Sequence, residues 1–210
     1  MLVIGICGAS GSGKSTLAKA LSLKLRGTTL LLNQDAYYRD HAYLPFEERV
    51  KINYDEPDVF EHDELLYDIH CLKQGKSITR KAYDYAHHCR ADLPDEMIAP
   101  PDTVIIEGIH AFHDPRLREL MDFKLYMSVD PDICLLRRIK RDIVERGRDI
   151  LGIETQYLAT VKPMYEKYIR AYVNYADIIV AGGGKNAKIN DMLATYINTG
   201  FGASEGTASV

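Results

Sequence analysis

One stretch, GASGSGKST at residues 8–16, limits what this 210-residue chain can become more than any other. It contains the pattern G-x-x-x-x-G-K-S as Gly8, Gly13, Lys14 and Ser15. The apolar run of residues 2–7 precedes it, and Leu17, Leu21 and Leu25 follow at four-residue spacing. A strand that feeds a glycine loop, which in turn opens a helix, is the setting that separates a phosphate-binding loop from a flexible glycine turn. Glycines let the backbone wrap close around an anion with its N–H groups pointing inward. The helix start adds the positive end of its dipole. The candidate phosphate-binding set is therefore Gly8, Ala9, Ser10, Gly11, Ser12, Gly13, Lys14, Ser15 and Thr16. Lys14 reaches toward the β and γ phosphates of a nucleoside triphosphate, and the Ser15 hydroxyl is placed to ligate Mg²⁺.

The rest of the chain repeats that strand–helix rhythm. Residues 28–32, 104–106, 123–129 and 177–180 form four more short apolar runs. Pro131 opens a further helix, on which Leu136, Ile139 and Ile143 are expected to mark the inner face. Alternation of this kind predicts a three-layer α/β/α fold around a five-stranded parallel sheet. Two segments break the pattern. Residues 35–95, rich in Tyr, His, Asp and Pro, carry one clear helix at 61–73 and read as a small insertion that covers a site. The tail, 199–210, is rich in Gly, Ser, Thr and Ala and reads as disordered. One domain, 1–198, is expected, with a helical lid at 137–156.

Net charge −4 argues against a general nucleic-acid partner, so anion binding has to come from a local cluster. No apolar run approaches the ~18 residues of a membrane span. The N-terminus reads as a strand and not a signal peptide. The four cysteines form no C-x-x-C pair and read as buried thiols of a cytoplasmic protein.

The second acidic element is VIIEG, residues 104–108, where Glu107 emerges at the carboxyl end of a central strand and can hold Mg²⁺ directly or through water. No N-K-x-D motif supports a regulatory GTPase, and one domain without a basic surface does not suit a helicase. Further blocks then accumulate: DAYYRD (35–40), LPFEERVKINYDEPDVF (44–60), YDYAHHCR (83–90), IIEGIHAF (105–112) and RRIKRDIVERGRD (137–149). With the glycine loop, these blocks resemble the uridine/cytidine kinases, within the wider group that includes phosphoribulokinase. The resemblance spans residues 2–198 and is most specific in NYDEPD and ERGRD.

It implies transfer of a phosphoryl group from ATP or GTP, with Mg²⁺, to the 5′-hydroxyl of uridine or cytidine. Asp35 becomes the general base and a neighbour of Mg²⁺. Tyr54 lines the sugar pocket, and Asp55 accepts hydrogen bonds from the ribose 2′- and 3′-hydroxyls. Tyr83, Tyr85 and His88 surround the base. Arg141 and Arg146 reach the donor phosphates as lid residues. Arg138 and Gln156 lie near the ribose, and Arg148 near the base. A homotetramer and feedback inhibition by pyrimidine triphosphates also follow from the resemblance alone. The chain departs from the family pattern at Lys81–Ala82, where a proline usually precedes the tyrosine. It departs again at AGGGKN (181–186), a loop that borders the adenine region in the family, where Pro-Arg usually precedes the glycines. His87 reads as surface, and His110 and His113 show no evident ligand set. Another small-metabolite kinase of this fold and a non-catalytic nucleotide-binding regulator are the alternatives.

Overall fold

Residues 1–200 are described by a computed structural model. In chain order, β1 (Leu2–Gly8) leads through the glycine loop to α1 (Lys14–Ser22), and β2 (Thr29–Asn33) follows. A 3₁₀ turn at Gln34–Tyr37, the short α2 (Phe46–Arg49) and α3 (His62–Lys73) come next. Four two-residue strands follow: β3 (Ile78–Thr79), β4 (Tyr83–Asp84), β5 (Cys89–Arg90) and β6 (Met97–Ile98). The chain then returns to the main sheet with β7 (Thr103–Gly108), α4 (Pro115–Leu120) and β8 (Phe123–Ser128). It closes with α5 (Pro131–Arg146), α6 (Ile150–Gln156), α7 (Lys162–Lys167), β9 (Ile178–Ala181) and α8 (Ala187–Gly200).

The main sheet has the order β2-β7-β1-β8-β9 and every pairing in it is parallel. All five expected strands are present, each within two residues of the expected ends. The two-residue period of β1 splits its side chains between two cores. Val3 and Cys7 join Ile69 and Phe112 on one face. Ile4 and Ile6 join Leu17, Leu21 and Leu193 on the other. Because β2 and β8 lie on opposite sides of the β7–β1 pair, the carboxyl ends of these strands open a crevice, the usual ligand position in an open parallel sheet.

The covering insertion extends to Ile98, a little beyond residue 95, because β3 pairs antiparallel with β6. Helix α3 sits one residue from its expected start and buries Leu65, Leu66, Ile69 and Leu72, the spacing of one helical stripe. Helix α1 is shorter than its leucine repeat, ending at Ser22 while Leu25 is still buried beyond it.

Helix α5 corrects the sequence reading. Leu136 is 63% exposed and Ile143 44% exposed, while Cys134, Arg138 and Asp142 are the buried positions. The polar stripe faces inward because the helix packs against the phosphate-loop crevice and not against a core. The end of the chain differs as well: Thr199 and Gly200, expected in the disordered tail, complete the last turn of α8, and the remainder of that tail lies outside the described residues. All four cysteines are free, with Cys7 and Cys134 buried and Cys71 and Cys89 only half-buried. Among the described residues no helix is long and apolar enough to cross a membrane.

Candidate active site

The glycine loop turns on backbone that only glycine adopts comfortably. Gly11 has φ 83° and lies so close to α5 that a Cβ there would meet the Cys134 carbonyl oxygen at 2.2 Å. Gly13, in the left-handed region at φ 96°, starts α1, so the free N–H groups of that helix's first turn face the loop. The Lys14 ammonium donates to the Ala9 carbonyl at 2.9 Å and bridges the loop it belongs to. Ser15 donates to Glu107 Oε1 at 2.8 Å, joining the loop to the end of β7. Burial raises the Glu107 carboxyl above its ordinary value, and the Lys14 charge opposes that rise. Among the described residues, the buried Ser12 hydroxyl has no hydrogen-bond partner. After β9, the backbone of Gly184 rests on this same turn; a Cβ there would lie 2.5 Å from the Gly13 carbonyl oxygen.

A cavity of about 490 Å³ runs from this loop under the insertion. Asp35, Tyr54, Asp55, Tyr83, Tyr85, His88, Arg138, Arg141, Arg146, Arg148 and Gln156 all line it, together with Lys14, Ser15 and Glu107. The two aspartates sit differently. Asp35 is half-buried and follows Asn33, whose side chain accepts from the Asp35 N–H at 2.9 Å. The Tyr85 hydroxyl donates to Asp35 Oδ2 at 2.7 Å, so Tyr85 stands against this carboxylate as much as against the base region. Asp55 is only 6% exposed. Burial raises its carboxyl, while Arg138 and a 3.0 Å bond from Thr160 pull it down.

At the far end Tyr54 stacks on His88, with ring centroids 5.0 Å apart and planes 29° apart. His88 tips the β4–β5 hairpin at φ 51°, left-handed backbone that histidine tolerates better than most residues. Burial, with the nearby Arg148 and Arg49, pushes its imidazole down to about 4. The ring is therefore neutral near pH 7, with one donor and one acceptor nitrogen. Its Nδ1 is buried without a partner among the described residues. His87, the neighbour, lies at the surface and pairs with Asp84.

The four arginines converge on one carboxylate. Arg141 approaches Asp142 at 2.8 Å, Arg146 at 3.3 Å, Arg148 at 3.5 Å and Arg138 at 3.6 Å. Burial alone would raise the Asp142 carboxyl, but Arg138, Arg141 and Arg146 together hold it below the ordinary range. Arg146 belongs to the last turn of α5, and its guanidinium covers the Tyr85 ring at 4.0 Å. Gly147 caps the helix at φ 62°, as its sequence position suggests. Arg138 and Arg148 both donate to Gln156 Oε1, at 2.9 and 2.7 Å, and Arg138 also reaches Ser10 Oγ at 3.0 Å.

Three contributors escaped the sequence reading. Asp142 is hidden inside ERGRD's preceding helix, where its spacing to Arg138 and Arg146 (i−4 and i+4) was the available signal. Thr160 sits on a one-turn π-helix, Tyr157–Val161, which swings its hydroxyl to Asp55; no local pattern announces such a turn. Tyr38 is buried and donates to the Tyr54 carbonyl at 3.0 Å.

This set can bind a polyanion at the glycine loop and a polar, planar molecule under the insertion, with two carboxylates between them. The Ser12 hydroxyl and His88 nitrogen, unpartnered among the described residues, and the four guanidiniums that share the single Asp142 carboxylate, fit an anionic nucleotide and a nucleobase. For a divalent cation, Ser15, Glu107 and Asp35 offer hard oxygen ligands at the cavity wall, the donor chemistry that Mg²⁺ takes. Residues 3–188 match the phosphoribulokinase/uridine kinase family. The chain is 46% identical over 195 residues to a uridine kinase of Leuconostoc citreum (strain KM20), covering 91% of this chain and 92% of the other. It is 44% identical over 197 residues to a uridine kinase of Ligilactobacillus salivarius (strain UCC118), with 93% and 92% covered. The fold is shared with a phosphoribulokinase from Rhodobacter spheroides, at TM-score 0.57 and 15% identity, over 87% of this chain and 70% of that one.

Proposed function

The chain belongs to the phosphoribulokinase/uridine kinase family, and from that premise we propose that it transfers the γ-phosphoryl group of a nucleoside triphosphate to the 5′-hydroxyl of uridine or cytidine. The observation that carries the reading is the pair of aspartates on one cavity, one beside the phosphate loop and one sunk toward the aromatic end. Donor phosphates lie on the amides of residues 8–16, where the helix dipole, Lys14, Arg141 and Arg146 balance their charge. Mg²⁺, held by Ser15 and Glu107 with Asp35 nearby, screens the phosphate charge when bound.

Asp35 accepts the proton of the attacking hydroxyl as its oxygen bonds to phosphorus. The bond to the nucleoside diphosphate breaks, and its electrons leave with that product. Tyr85, donating to Asp35 Oδ2, orients the carboxylate so that the other oxygen faces the alcohol. Asp55 offers two oxygens to the ribose diol, a match that a 2′-deoxyribose half loses. Tyr83, Tyr85 and His88 enclose the base, with Tyr54, stacked on His88, lining the sugar side of the same pocket. A neutral His88 with a free nitrogen suits either the O4 of uracil or the amino group of cytosine, according to tautomer. Arg138, Arg148 and Gln156 form the wall that meets the nucleoside, and closure of residues 137–156 over both substrates excludes water from the transfer.

An acceptor panel tests the reading: ADP release is followed with uridine, cytidine, 2′-deoxyuridine, ribulose 5-phosphate and glycerate. Uridine and cytidine should support turnover, and ribulose 5-phosphate and glycerate should not. Nucleotide binding without stimulation by any pyrimidine ribonucleoside would overturn it. The same reading carries a cytoplasmic homotetramer, ATP or GTP as donor, a place in pyrimidine salvage and inhibition by pyrimidine triphosphates. Light scattering, a donor panel and CTP titration check these.

A further inference from the structure

Behind the cavity, His110 makes contacts that none of the chemistry above uses. It is completely buried just past the end of β7. Its backbone N–H donates to Gln34 Oε1 at 3.0 Å, and Gln34 is the residue before Asp35. Its ring Nε2 lies 2.7 Å from the Asp55 carbonyl oxygen, and its Nδ1 lies 2.9 Å from the Tyr172 hydroxyl. The same hydroxyl lies 2.9 Å from Nδ1 of His113. One residue thus touches both segments that bear the cavity's aspartates.

The directions of these bonds follow from valence. A carbonyl oxygen only accepts, so His110 Nε2 carries the hydrogen. Burial pushes the His110 imidazole down to about 3, so the ring is neutral and Nδ1 is bare. A bare nitrogen needs a donor, and Tyr172 supplies its single proton there. The Tyr172 oxygen is then the acceptor for His113 Nδ1–H. Every contact is satisfied in only one sense: His113 to Tyr172, Tyr172 to His110, His110 to the Asp55 carbonyl.

We propose that His110, held in one tautomer by Tyr172, is a positioning residue that fixes the Asp55 carboxylate relative to Asp35 and so sets discrimination for the ribose diol. The relay ends on a carbonyl, which takes no proton, so it orients and conducts nothing. Gln34 completes the arrangement, because the His110 amide fixes its carbonyl and the neighbouring Asp35 with it. A slack relay lets Asp55 drift from the geometry that engages both hydroxyls, and a substrate with one hydroxyl loses less from that drift. This inference rests on the ribose role proposed for Asp55.

The test is the ratio of kcat/KM for uridine to that for 2′-deoxyuridine in His110→Leu, His110→Gln, Tyr172→Phe and Asp55→Asn. His110→Leu should lower the ratio about tenfold, the weight of one ordinary hydrogen bond, and Tyr172→Phe about threefold, with the KM for ATP unchanged. His110→Gln keeps a donor near the Asp55 carbonyl and should restore most of the ratio. A general loss of packing would depress both substrates alike and leave the ratio intact. ¹⁵N spectra of histidine-labelled protein should show one Nε2–H ring that stays neutral to low pH and changes in Tyr172→Phe. Should Asp55→Asn keep full discrimination, the ribose reading fails. Should Asp55→Asn lose it while Tyr172→Phe and a folded His110→Leu keep it, the positioning role fails. If His110→Leu does not fold, the Tyr172→Phe ratio and spectrum decide in the same way.

Discussion

On the proposed function, the two ends of the cavity, one for phosphate and one for the nucleoside, are built on opposite principles. The phosphate end is one continuous piece of chain: residues 8–16 turn between β1 and α1, and most of their binding groups are backbone amides. The nucleoside end is assembled from side chains that start far apart, with Asp35 after β2, Asp55 and His88 in the insertion, Arg138 on α5 and Thr160 on a π-turn. A backbone cradle needs only the right residues in the right order. A side-chain pocket needs its supporting contacts as well, and those are where individual substitutions should do the most varied damage.

The largest effect that would sharpen this contrast is Asp35→Asn. It should lower kcat about 10²–10⁴-fold with the uridine KM within a few-fold, read from steady-state kinetics. Loss of binding without loss of turnover would break the assignment of chemistry to the nucleoside end. Asp142→Ala comes next. It leaves four guanidiniums without their shared carboxylate, and removal of one partner from a buried charge cluster costs about 3–5 kcal/mol where the cluster is fully buried. Because Arg141, Arg146 and Arg148 are partly exposed, a urea denaturation should show the lower part of that range or less. ATP should restore more stability to this variant than to the parent, since phosphates take over the carboxylate's role.

Thr160→Val removes the hydroxyl bond to Asp55 and should raise the uridine KM several-fold without touching the ATP KM. Smallest is a pH effect. His110 and His88 have folded values of about 3 and about 4, below the ordinary 6.5. Their contribution to stability is full above pH 6.5. It is lost as the pH falls from there toward those values, because the unfolded chain takes up protons first. Urea midpoints measured from pH 7.5 to 5 should therefore decline less steeply in His110→Gln than in the parent.

Legibility in the sequence followed the same divide. The glycine loop, the five strands and Glu107 could be read because short-range pattern alone dictates them. Asp35, Asp55, Tyr83, Tyr85, His88 and the arginines entered through resemblance, and all of them line one cavity. Their supports did not show. Asp142 is one charge among many in RRIKRDIVERGRD, and the inward stripe of α5 runs against the usual rule that hydrophobic spacing marks a core. Against a phosphate site the rule inverts, since the neighbour to be satisfied is an anion. Tyr172 and His110, 62 residues apart in sequence, could not be paired by any local pattern.

That inversion has a consequence for how α5 is fastened. With Leu136, Ile143 and Val144 turned outward, little oily surface glues the helix to the rest of the molecule. Its ion pairs are internal, Asp142 gathering Arg138, Arg141 and Arg146 of the same helix and Arg148 just past its end, while Arg138 reaches Ser10 and Arg146 covers Tyr85. On the proposed function, a nucleotide that draws those guanidiniums away from Asp142 toward the phosphate loop ties the segment to its neighbour, so that it is held more firmly when the site is filled than when it is empty.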